Sequence, residues 1–212
     1  MKRIGSIIFK ISKTTVFVII LFCLLLYFSL WIYINNSVPK ELKLKYNQNI
    51  ESCFNDNQYE IILFSFAGHK NNRFKWHPFL FDFIFVIISG KYDNTIASVT
   101  ASTIAGEYFY DNIGKYTMTD WHIMNYGFTR YVIIKNNYKK CIDIILEKCL
   151  LGENIYGIKN ASKHYFNKEV SDLSDEELIS LIVLSYAPTR FKIGTEENRN
   201  RTLKIINEYG LY

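Results

Sequence analysis

The chain lacks most of the features that quickly assign a protein to a class. Its cysteines are few, Cys23, Cys53, Cys141 and Cys149, and their spacing matches neither a disulfide framework nor a zinc pattern. Cys141 and Cys149 would sit about 12 Å apart on one helix, too far to bridge. Cys53 is left able to pair with either, and unpaired, mostly buried thiols are the plainer reading. The four histidines show no metal-ligand spacing. No repeat or low-complexity tract occurs. Lys and Arg are scattered rather than gathered in a stripe, which argues against nucleic acid as a partner. The net charge of +5 is mild and suits anionic lipid headgroups or a pyrophosphate. The first fourteen residues contain Lys2, Arg3, Lys10 and Lys13 but no acid.

What is present is apolar and aromatic. With 49% hydrophobic and 17% aromatic residues the chain can fill a core, which excludes disorder as its general state. Thr15 to Ile34 is uncharged and strongly apolar, long enough to cross a bilayer as a helix. The basic flank before it keeps the N-terminus cytoplasmic by the positive-inside rule. A cleaved signal peptide is the alternative, but the run is long and no small-x-small site follows. The expected layout is a cytoplasmic N-terminus at 1–14, a transmembrane helix at 15–34, a tether at 35–57 and one domain at 58–212. That domain would lie on the extracytoplasmic (periplasmic) side of the cytoplasmic membrane.

The domain reads as mainly α-helical. Asn36 to Asn57 is polar with Pro39, which suggests a tether and domain entry. Tyr59 to Phe66 is a short apolar run and a first core element. Phe79 to Ile88 is apolar apart from Asp82. It is too short to span a membrane and is either a buried segment or one that dips into the interface. Ile96 to Phe109 mixes small and hydroxyl residues with aromatics. Ile123 to Leu151 reads mostly helical, with Ile134, Cys141, Ile142, Ile145, Leu146 and Cys149 near helical spacing. Ser174 with Glu177 forms a capping box before the apolar helix Leu178 to Ala187, which Pro188 ends. Thr195 caps a last helix that runs to Tyr209, with Gly210 at its stop.

One long pattern closes the chain: Gly152, Tyr156, Gly157, Ile158, Ala161, Tyr165, Phe166 and Lys168, then Leu173 to Leu178, then Ala187 to Phe191. It resembles the C-terminal half of the peptidoglycan glycosyltransferases (glycosyltransferase family 51). These are the monofunctional transglycosylases and the transglycosylase modules of class A penicillin-binding proteins. That family's Ile-Leu-Glu and Tyr-Leu-Asn pattern falls on Cys141 to Asp143 and Ile145 to Glu147, and its Arg-Asn-x-x-Leu on Arg199 to Leu203. The resemblance implies a lysozyme-like helical transglycosylase domain and a lipid-linked disaccharide as substrate. It also implies a membrane-embedded jaw where Phe79 to Ile88 lies.

The family's chemistry belongs to three motifs further upstream. The first, Glu-Asp-x-x-Phe-x-x-His-x-Gly, fits Phe74 and His77 beside Arg73, but its catalytic Glu falls on Lys70. The second, Gly-Gly-Ser-Thr-Ile-Thr-Gln-Gln-Leu-Ala, is laid on Ile96 to Ala105; Ser98, Ile104 and Ala105 agree, and its two Gln fall on Ser102 and Thr103. The third, Arg-Lys-x-x-Glu, ends on Asn125. The implied substrate-binding residues are therefore Arg73, Phe74, His77, Ser98, Ser102 and Thr103. Attack of a sugar hydroxyl on an anomeric carbon needs a base, for which a carboxylate is suited. Lys70 is protonated unless strongly desolvated, and Asn125 accepts no proton. Asp82, Glu107 and Asp120 are the acids near these motifs, read either as stand-ins or as solvated surface charges. His77 is a substitute acid/base or a structural hydrogen-bonding residue, and His69 and His122 are open in the same way. The resemblance leaves room for a divalent cation on the pyrophosphate, with no ligand set visible.

Three functions fit this sequence. One is a divergent peptidoglycan glycosyltransferase. Another is a non-catalytic relative that binds the lipid-linked precursor or a cell-wall synthesis partner. The third is an unrelated anchored helical protein, such as a toxin inhibitor.

Overall fold

The computed structural model describes residues 13–67, 96–135 and 137–210 of the chain. Among them every regular element is a helix, joined by one isolated antiparallel bridge between Leu150 and Tyr156. The mainly α expectation therefore holds. The helices are α1 (Lys13–Ser37), α2 (Lys40–Asn47), α3 (Asp56–Ala67) and α4 (Ile96–Asp111). They continue with α5 (Met118–Lys135), α6 (Tyr138–Lys148), α7 (Ile158–Phe166), α8 (Asp175–Tyr186) and α9 (Glu196–Tyr209).

The core forms around α8. Leu178 to Leu184 is buried on every side, as a helix apolar all round requires. Ser174 and Glu177 make the reciprocal cap that the sequence spells out, and the helix ends one residue before Ala187 and Pro188. Ile61, Ile62 and Leu63 of α3 and Ile142, Ile144 and Leu146 of α6 join the same cluster. Each such side chain, fully buried, contributes about 1.5–3 kcal/mol. The Thr195 cap and the Gly210 stop of α9 also stand as the sequence suggests, Gly210 in the left-handed region at φ 78°.

The four thiols are free. Burial pushes Cys53 and Cys141 up to about 11 and Cys149 up to about 12, so they stay protonated and unreactive at neutral pH.

Three local details refine or depart from expectation, the span 123–151 being mostly helical as expected but in two helices. The stretch read as a tether contains α2, whose Leu42 and Tyr46 are buried in the core. Tyr46 meets Phe128 and Tyr131 edge-on at 6.4 and 5.9 Å, so two apolar residues in a polar stretch suffice to dock one short helix. Ile123 to Leu151 is not one helix. Asn137 accepts from the Lys140 N–H and caps a new one. Ile134 lies on the exposed side of α5 rather than in the core.

The Thr15–Ser37 stretch of α1 is long and apolar enough to cross a membrane. Its residues up to Leu26 are exposed, while Tyr27, Leu30, Ile34 and Val38 form the helical stripe that meets α5. The two helices touch at Gly127. A Cβ there would lie 2.8 Å from the Ile34 carbonyl oxygen and 2.8 Å from Val38 Cγ2. Backbone on one side cannot rotate away, so only glycine lets α1 come this close. Gly127→Ala is expected to lower stability by about 1–3 kcal/mol through overpacking, read by thermal unfolding in detergent. An unchanged unfolding midpoint would contradict the close contact.

Candidate functional site

The α4 and α5 helices pack against each other, antiparallel, since Ser102 meets Asn125 and Phe109 meets Trp121. Ala97, Ala101 and Ala105 recur at helical spacing on α4 and are all buried. Their small side chains let α4 pack closely against its neighbours. This contact brings together two positions that the sequence assigns to separate motifs. The Asn125 Nδ2 donates to Ser102 Oγ at 3.1 Å, and the hydroxyl returns a longer contact of 3.5 Å to Oδ1. Asn125 is only 1% exposed. At this point the pair can fix the register of two helices. It cannot take up a proton, because an amide has no basic site near neutrality.

Thr103, one residue on, points the other way. Its hydroxyl donates to the Val99 carbonyl at 2.9 Å, and it borders a largely apolar cavity of about 570 Å³ together with Phe66, Val99, Ile145, Lys148 and Tyr186. Phe66 and Ile96, close to the two ends of the 68–95 stretch, line it as well. Among the described lining residues the cation is Lys148. It donates to both Glu107 oxygens at 2.6 and 2.7 Å, and Lys45 stands 3.8 Å from the same carboxylate. Lys148 and Tyr186 were not anticipated from sequence. A lysine at the end of α6 carries no motif, and only packing turns it towards α4.

Of the remaining expected site residues, Ser98 is buried on α4. Lys70, Arg73, Phe74 and His77 lie outside the described residues, as do His69 and Asp82. Asp120 is a helix cap: Thr117 donates to it through its hydroxyl at 2.7 Å and its N–H at 2.9 Å. Those bonds, the hydroxyl first, hold its carboxyl below the usual range. That bonding accounts for Asp120 as a structural acid. His122 is exposed, its ring edge-on to Trp121 at 4.9 Å. Among the described residues no three His, Cys, Asp or Glu side chains group as a metal site. The donor set for a cation is therefore not assembled among them.

A second, polar cleft of about 390 Å³ flanks the other side of α6, lined by Asp143, Glu147, Cys53, Tyr156 and Lys159 among others. Gly157 makes its wall possible. It sits at φ 81°, and a Cβ would come within 2.7 Å of the Glu147 carbonyl oxygen. Asp143 accepts from the Tyr59 hydroxyl at 2.7 Å, and Tyr59 shares a 2.5 Å contact with Ser52. Burial pushes the Asp143 carboxyl above its usual range, against the Tyr59 bond and the neighbouring lysines.

The sequence model of the transglycosylase family matches residues 134–209. Penicillin-binding protein 1F of Bacillus subtilis is 32% identical over 93 residues, 39% of this chain and 13% of that protein. Biosynthetic peptidoglycan transglycosylase of Shewanella frigidimarina is 40% identical over 50 residues, 24% of this chain and 22% of that protein. The chain thus matches less than a quarter of either relative's length. The family match begins beyond Ser98, Ser102, Thr103 and Asn125, so it carries α6 to α9 and not the α4–α5 pair.

Two measurements test this geometry. Asn125→Ala is expected to cost about 1–3 kcal/mol in urea unfolding, since it leaves Ser102 and its surroundings without their partner. A raised folded-state pKa for Asp143 means stability is full at acid pH and declines as pH rises from about 4, where the unfolded carboxyl ionises first. Asp143→Asn should therefore gain stability over the native chain between about pH 4 and pH 7 and show no such gain below about pH 4. A pH-independent difference would contradict the shift.

Proposed function

We infer, from a chain whose residues 134–209 are of the transglycosylase family, that it is a peptidoglycan glycosyltransferase-like membrane protein that holds lipid-linked disaccharide without polymerising it. The observation that carries this reading is the buried Asn125–Ser102 pair. The family resemblance asks for a carboxylate at that position and an amide fills it. Lys70 at the other carboxylate position supports the same conclusion. Loss of a positioned base alone costs on the order of 100- to 10,000-fold in rate. The largely apolar cavity suits the lipid portion of such a ligand. We place α1 across the cytoplasmic membrane with the N-terminus inside, from the basic flank that precedes it, and the helical domain on the extracytoplasmic face.

Glu107 supports a second reading, in which the chain is an active, divergent polymerase. It is a carboxylate of α4 bound to a cavity-lining lysine. One experiment separates the two. The purified full chain is incubated in detergent with lipid-linked disaccharide, with divalent cations varied, and glycan polymer is assayed. The native chain is expected to make none, and Lys70→Glu combined with Asn125→Glu is expected to restore some if the scaffold is intact. Polymer from the native chain would overturn the non-catalytic reading. Its loss in Glu107→Gln would then identify the base.

A further inference from the structure

We propose that the polar cleft beside α6 is a binding site for a short, uncharged saccharide, seated on the ring of Tyr156. The proposal is independent of the reading of the Thr103 cavity. Leu150 borders that cavity, while its bridge partner Tyr156 borders the cleft. The first observation is the ring itself. Tyr156 is 57% exposed, although its backbone is fixed on both sides. The Leu151 N–H donates to the Ile155 carbonyl at 2.7 Å, and the Gly157 N–H to the Cys149 carbonyl at 2.9 Å. This aromatic side chain stands uncovered on a braced turn at the edge of a cleft and fills no core. A phenol ring presents a negative face. The C–H bonds along one face of a pyranose ring are its complement.

The second observation is the mixture of polar groups around that ring. Glu51, Asp143 and Glu147 line the cleft as acceptors. The Tyr59 hydroxyl holds Asp143 by Oδ1, which leaves Oδ2 to a ligand. Asn160 spends its Nδ2 on the Tyr156 carbonyl at 2.8 Å and keeps its side-chain oxygen. Donors border the same space. Lys159 supplies an ammonium. The α7 helix opens on Gly157, which has no capping side chain, so its first N–H groups start at the cleft wall. Neither the acids nor the start of α7 would mark a site alone; the uncovered ring between them does. An anion would meet three carboxylates. A lone cation would leave the N–H donors unused, and no three acids group as a metal site among the described residues. A hydroxyl group both donates and accepts, so a polyol satisfies both sets at once. The volume of about 390 Å³ falls within the range of small-ligand sites, about 300–1,000 Å³.

The test uses the full chain in lipid nanodiscs with two lipid-free probes, cellotriose and N-acetylchitotriose. Binding is read by saturation-transfer difference NMR and by titration calorimetry. Saturable binding of at least one probe is expected, with the strongest transfer to the C–H protons of one sugar face. Tyr156→Ala is expected to weaken it about tenfold. Tyr156→Phe keeps the ring and is expected to keep the binding, and Glu147→Gln is expected to weaken it. If Tyr156→Ala lowers the thermal unfolding midpoint, Tyr156→Leu, apolar but without a ring, takes its place. Absence of binding by both probes would overturn the proposal. Binding that survives loss of the ring unchanged would also overturn it, because the sugar would then sit elsewhere on the chain. A cationic probe, N-acetyl-lysine amide, is run beside them. If it binds where the saccharides do not, and Glu147→Gln abolishes that binding, the cleft belongs to a basic peptide and the proposal fails. The saccharide probes carry neither lipid nor pyrophosphate, so failure here leaves the holding of lipid-linked disaccharide standing, and failure of that reading leaves the cleft standing.

Discussion

The close approach of α4 to α5 is the constraint on which the rest of this structure depends. The Ser102–Asn125 hydrogen bond and the Phe109–Trp121 ring contact tie the two helices together. Its consequences run in three directions. Towards α6, Thr103 and Glu107 are turned to the cavity and to Lys148. Towards the N-terminus, the outer face of α5 offers Gly127 as the seat for α1. At its far end, the connection between the two helices carries a set of exposed aromatic and apolar residues.

The conserved physics of local chemistry made one half of this molecule legible in its sequence. A capping box, a proline stop, a threonine cap and a terminal glycine are each written in a few adjacent residues, and α8 and α9 follow them closely. The Gly157 turn is of the same kind. The other half depends on contacts between distant residues. Nothing near Leu42 and Tyr46 announces that they reach the core, because their partners Phe128 and Tyr131 are far along the chain. The break between α5 and α6 turns on one asparagine side chain, which a hydrophobic period does not weigh. Ser102 and Asn125 were legible only as positions of two separate motifs, and their meeting belongs to the packing. Its burial, which decides what the pair can do, belongs to the packing.

The same division separates scaffold from chemistry. The transglycosylase match covers α6 to α9, where the residues build turns, caps and core. Reaction chemistry would rest on α4, α5 and the stretch that carries Lys70 and His77. A chain can keep the first group under selection for stability and lose the second, because core burial and base catalysis place demands on different residues. The cavity beside Lys148 keeps a largely apolar lining, with the Lys148–Glu107 pair at its edge.

Release of the lipid pyrophosphate is the measurement closest to the central claim. The full chain is saturated with lipid-linked disaccharide, the bound ligand is extracted after prolonged incubation, and its pyrophosphate linkage is examined by mass spectrometry. Holding without turnover predicts saturable binding and recovery of the ligand intact. Free lipid pyrophosphate above that of a protein-free control would contradict it, because it would show the anomeric bond broken with Lys70 and Asn125 at the two carboxylate positions.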